Sequence, residues 1–104
     1  MSVLRGILKE EKLRLESLSR MYVSELKKLP RGSISLKRIR NGEYAYLAYR
    51  KQGRVRFDYL GAASSEQVHK MHEKVKERRK LEELLKRAMG NLKEVEGMLR
   101  VRAA

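Results

Sequence analysis

The sequence predicts an α+β fold: two long antiparallel helices, paired as a coiled-coil-like hairpin, flanking a three-stranded antiparallel β-meander. Three observations carry this. Apolar residues recur at steps of three and four on both sides of a central stretch, the period of an amphipathic helix. The central stretch, residues 31–61, is rich in β-branched and aromatic residues and is punctuated by Asn41-Gly42 and Lys51-Gln52-Gly53. Pro30 on one side and Ser64-Ser65 on the other supply a helix stop and a helix start. At 104 residues the chain reads as one domain, 1–104, with at most one modest core.

The first helix is predicted over residues 3–29. Leu4, Ile7, Leu8, Leu15, Leu18, Tyr22, Leu26 and Leu29 form its apolar stripe. Leu8, Leu15, Tyr22 and Leu29 share one heptad register, while Glu11 and Glu25 break the other. Pro30 cannot continue the helix and disfavours the helical conformation in the residue before it.

Three strands follow, over residues 33–40, 43–50 and 54–60. Asn41-Gly42 is the pair favoured in a type I′ turn, which needs two positive φ angles. The second connection has three residues with glycine last, as in a hairpin with a bulge. Ile34 and Leu36 share a face but Ile39 is out of phase, which places a bulge near Lys37–Arg38. In the third strand Val55, Phe57 and Tyr59 alternate with Arg54, Arg56 and Asp58. One face of the sheet is expected to pack on the helices. The other is expected to carry Arg and Lys among small and aromatic side chains.

The second helix is predicted over 64–100. Ser64-x-x-Gln67 fits a capping box, and Glu66 suits the positive end of the helix dipole. Val68, Met71, Val75, Leu85, Met89, Leu92 and Leu99 make the seam. Leu13, Leu26, Leu81 and Leu84 widen the apolar faces beyond what one helix pair covers, which favours a homodimer or higher oligomer through the helices.

Charge narrows the partners. Lys and Arg number 26 against 13 acidic residues, a net +13, and the isoelectric point is near 10.3. A chain this basic is attracted to polyanions, of which nucleic acid is the commonest. The meander holds the densest part. Arg31, Lys37, Arg38, Arg40, Arg50, Lys51, Arg54 and Arg56 face only Glu43 and Asp58, so residues 31–60 carry +6. A secondary basic track, Lys74, Lys76, Arg78, Arg79 and Lys80, lies on the second helix among compensating glutamates.

Several functions are excluded or disfavoured. Without cysteine there are no disulfides and no thiolate metal sites, which is compatible with a reducing cytoplasm. No run of 18 apolar residues exists to span a membrane. His69 and His72, spaced i,i+3, could join Glu66 or Glu73 in a weak surface metal site, but such spacing is commonplace and they read as ordinary helix-surface residues. The glycines punctuate strands and do not form a phosphate-cradling loop. The tyrosines read as strand packing or as phosphate and base contacts. No catalytic constellation is visible, so the chain is expected not to be an enzyme and to need no cofactor or metal.

One pattern invites comparison. Leu29-Pro30-Arg31-Gly32-Ser33-Ile34 is followed by Tyr44-Ala45-Tyr46-Leu47-Ala48-Tyr49-Arg50, then by Arg54-Val55-Arg56-Phe57-Asp58-Tyr59-Leu60-Gly61. About a third of the chain thus resembles small uncharacterised prokaryotic proteins with this motif between two helices. That resemblance implies the helix–meander–helix fold and no particular activity. The sheet is also similar to the arm-type amino-terminal domain of phage integrases, whose three-stranded meander enters the DNA major groove. This likeness implies base and phosphate contacts at Lys37, Arg38, Arg40, Arg50, Arg54 and Arg56. The chain departs from the integrases in having a long helix before the sheet and no catalytic domain after it.

The reading that unites these features is a non-enzymatic nucleic-acid-binding protein, with DNA favoured over RNA, that uses a basic sheet face. The alternative is a coiled-coil adaptor or oligomerisation module that docks on an acidic protein.

Overall fold

The structure is a computed structural model that describes residues 2–101. Helix α1 spans Val3–Leu26, strands β1, β2 and β3 span Ser33–Ile39, Gly42–Lys51 and Arg54–Ala62, and helix α2 spans Glu66–Arg100. Two helices thus flank a three-stranded antiparallel sheet of order β1-β2-β3, an α+β fold. The chain divides into two compact units: residues up to Lys28 with those from Lys80 onward, and Leu29–Arg79.

In the first unit, Leu15 is the most completely buried side chain, at 2% exposed, and it packs with Ala88 and Val95. Leu8, Leu18, Tyr22, Leu92 and Leu99 close around them. The predicted register of Leu8, Leu15 and Tyr22 therefore points into this core. Its partners on α2 differ from those expected, since Met89 is 56% exposed and the smaller Ala88 and Val95 take the buried stripe. Helix α1 also ends at Leu26 and not at residue 29. The cause is Pro30, whose ring would clash with the carbonyl of Leu26 four residues earlier. Ser2 caps the start, its hydroxyl accepting from the Arg5 amide.

In the second unit the register is unbroken from Ser33↔Ala48 to Ile39↔Gly42, so β1 carries no bulge at Lys37–Arg38. Ile39 is out of phase with Ile34 and Leu36 because it lies on the opposite face, half exposed. The irregularity lies between β2 and β3, where Tyr46 pairs with Tyr59 but Ala45 pairs with Gly61, leaving Leu60 as the extra residue. Gly61 there has φ +133 and stands beside Ser65, so a Cβ would crowd the hydroxyl that starts α2.

The turns exchange the roles expected of them. Ile39 pairs with Gly42, so the first loop is Arg40-Asn41, with the positive φ on Arg40 (57°). Lys51 pairs with Arg54, so the second loop has two residues, Gln52 (φ 53°) and Gly53 (φ 76°). Those are the two positive angles of a type I′ turn, and no three-residue bulged loop forms. The cap of α2 is likewise shifted. Helix α2 begins at Glu66, and Ser65, not Ser64, accepts from the Val68 amide at 3.3 Å.

Alternation sorts the sheet into two faces. Ala45 and Leu47 are buried on the inner face, and Val68 and Val75 of α2 are buried in the same unit. A hollow lined by Ile34, Leu36, Val68, His69 and His72 places the start of α2 against this side of β1. Arg78 then donates to the Leu29 carbonyl at 2.9 Å, tying α2 to the segment that leads into the sheet.

Candidate nucleic-acid interface

The opposite face of the sheet is open. Cross-strand pairing puts Ser33, Ser35, Lys37 and Ile39 of β1 beside Tyr44, Tyr46, Ala48 and Arg50 of β2, and these beside Val55, Phe57 and Tyr59 of β3. The rings form a contiguous surface. Tyr59 lies 5.4 Å from Tyr46 and 6.4 Å from Tyr44 between centroids, at tilts of 60° and 44°. Such tilted pairs favour one another beyond the area they bury. The Lys37 ammonium stands 5.2 Å from the Tyr46 centroid and 4.9 Å from that of Phe57, a double cation–π contact. Tyr59 is nevertheless 61% exposed and Phe57 49%. Both rings remain open to solvent over about half their surface or more.

The cations do not share one face as expected. Lys37 and Arg50 belong to the aromatic side, whereas Arg38, Arg54 and Arg56 project from the other, because strand positions of opposite parity must point oppositely. Arg40 and Lys51 sit at the turns, and Arg31 precedes β1. Two groups result. Arg38 and Arg40 line a hollow at the β1–β2 turn with Tyr44 and Ala63. Arg50, Lys51, Arg54 and Arg56 gather at the β2–β3 turn. From Tyr44 to Arg50 the strand advances about 20 Å, so the aromatic surface lies between two cationic ends.

All eight predicted cations are exposed, and none takes part in an ion pair among the described residues. The ion pairs present among the described residues lie on the helices or at a helix end, such as Arg14–Glu11, Lys28–Glu25 and Lys70–Glu66. Asp58 is directed to Tyr49, whose hydroxyl donates to its carboxylate at 3.2 Å. That hydrogen bond holds the Tyr49 pKa above the ordinary tyrosine value, with burial and the Asp58 charge adding to it. Apart from Lys37, which lies over two rings, the cationic groups of the sheet are thus left to solvent.

The secondary track is less uniform. Arg78 is half-buried and hydrogen-bonded to Leu29, whereas Lys74, Lys76, Arg79 and Lys80 are exposed. His69 and His72 line the hollow beside Ile34 and Leu36. Among the described residues no group of three His, Cys, Asp or Glu side chains is placed to hold a metal ion. None of the described helices is long and apolar enough to cross a membrane.

Sequence reasoning named the cations and not the ring cluster. The signal was present, since Tyr44 and Tyr46 on one strand and Phe57 and Tyr59 on the next repeat at a spacing of two. Register alone decides whether two such pairs meet.

Comparison with known proteins finds one family, a domain of unknown function designated DUF6788, matching residues 4–70. The match covers α1, the whole sheet and the first turn of α2, more than half the chain, and the chain belongs to this family. No curated protein and no solved structure matches.

Proposed function

We propose that this DUF6788 chain is a non-enzymatic nucleic-acid-binding protein, acting on DNA, whose sheet is the contact surface. The observation that carries this reading is the set of eight exposed cations in and beside the sheet that make no ion pair among the described residues. Edge protection or solubility would not require so many, and a buried structural role would pair them. The two cationic ends would hold the sugar–phosphate backbone, and phosphate contacts would supply most of the affinity. Exposed apolar side chains on α1 and the distal part of α2, among them Leu4, Ile7, Leu13 and Met98, support self-association through the helices. Two copies would double the cationic surface.

Fluorescence anisotropy with labelled DNA at several salt concentrations tests the reading. Six phosphate contacts predict a log–log salt slope of about −4 to −5, across the single-strand and duplex coefficients. A slope near zero, or no binding at low salt, overturns it. Light scattering under the same conditions reports the oligomeric state.

A further inference from the structure

We infer, resting on that reading of the sheet, that the nucleic acid it takes is single-stranded and that bases stack on Tyr59, Tyr46 and Phe57. A duplex keeps its base faces stacked on one another and offers a protein only edges, sugars and phosphates. An open aromatic surface finds no match there. A single strand offers base faces, and sheets that bind such strands do so through exposed rings flanked by cations.

The open face has both parts. Tyr59, on the outer strand β3, joins the ring cluster by tilting against Tyr44 and Tyr46 and is 61% exposed. The tilt leaves a stepped surface that a base can enter from the side. Lys37, poised over Tyr46 and Phe57, marks ring faces that already attract a group from above. An arriving base would displace its ammonium, which a long flexible stem can carry to the adjacent phosphate. Arg50 lies on the same face toward the other end. The stretch of about 20 Å between the ends suits a strand of a few nucleotides, with rings under the bases and cations beside the phosphates.

The test uses the whole chain with labelled oligodeoxythymidylate, a duplex of equal length, and heparin as a polyanion without bases. With five tyrosines and no tryptophan, the protein's own emission comes from tyrosine and reports stacking directly. The single strand should bind more tightly than the duplex and quench that emission, while heparin should bind without quenching. Tyr59→Ala should weaken single-strand binding about 5- to 150-fold. Tyr59→Phe should retain binding, and Tyr59→Leu, which keeps apolar bulk on the sheet, should lose it as Tyr59→Ala does. Circular dichroism confirms that each variant is folded. If the duplex binds at least as tightly, without quenching and with no loss in Tyr59→Ala, stacking is refuted while the nucleic-acid reading survives. If neither nucleic acid binds at about 50 mM salt, the underlying reading fails and the inference falls with it.

Discussion

Arg78 and Leu29 lie far apart in sequence, yet the Arg78 guanidinium donates to the Leu29 carbonyl at 2.9 Å. Leu29 follows the end of α1 and precedes Pro30, so its carbonyl has no helical partner. Arg78→Ala should therefore lower stability by about 1–3 kcal/mol, as expected when a partly buried acceptor loses a charged donor. Urea denaturation measures this. Arg78→Lys should recover part of the loss.

Gly32 is irreplaceable for a different reason. Its φ is +117, and a Cβ there would overlap the Ala48 carbonyl oxygen. Gly32→Ala should cost about 3 kcal/mol or more, combining backbone strain with displacement of the central strand. Gly53→Ala also meets a positive φ, but its Cβ would reach open space. Its cost should be smaller, about 1–2 kcal/mol, and thermal melts of the two variants give the comparison.

The second turn can be improved. Gln52 holds a φ of 53°, which asparagine tolerates better, and Asn-Gly is the preferred pair for a type I′ turn. Gln52→Asn should stabilise the sheet by about 0.5–1 kcal/mol. An unchanged or lowered melting temperature would show that Gln52 makes some compensating contact.

Alkaline pH should weaken the contact between Tyr49 and Asp58. The Tyr49 pKa is raised in the folded chain, chiefly by its hydrogen bond to Asp58. A raised folded value means the stabilisation is complete below the ordinary tyrosine pKa near 10 and is lost as pH rises through the folded value. Melting temperatures from pH 8 to 11 should fall more steeply in the parent than in Tyr49→Phe. Glu11 has the opposite sign: hydrogen-bonded to Arg14, its pKa is lowered, so that pair weakens only as pH falls below the usual carboxylate range.

Charge reversal tests the sheet as a reader. Arg50→Glu, Arg54→Glu and Arg56→Glu together should abolish DNA binding at about 150 mM salt and leave the helical circular dichroism signal intact. Because Arg50 projects from one face and Arg54 and Arg56 from the other, the single variants separate the two sides. Unimpaired binding by the triple variant would remove the sheet from consideration.

Much of the fold was legible because it depends on period and punctuation. The three- and four-residue steps gave both helices, and alternation with turn residues gave three strands. What sequence could not resolve were choices between near-equivalent neighbours. Ser64 and Ser65 are equally good caps, and the bulge at Leu60, which brings Gly61 beside Ser65, selects the second. Asn41-Gly42 looked the better type I′ pair, but strand pairing placed the loop one residue earlier. Ala88 is too small to stand out in an apolar pattern, yet its size fits it to lie against Leu15. That cations divide between faces follows from parity within each strand, but which of them share a face, like the meeting of Tyr46 with Tyr59, required the register.

Both outer strands of this small sheet, β1 and β3, leave one row of backbone donors and acceptors unpaired. Lys37 and Arg38 stand along one such row and Arg54 and Arg56 along the other. Repulsion between like-charged copies keeps these rims from recruiting further strands. Neutralising the same side chains would therefore invite edge-to-edge polymerisation, and a loss of soluble protein could pass for a loss of ligand affinity. Glutamate preserves repulsion between like rims, β3 against β3, where alanine would not.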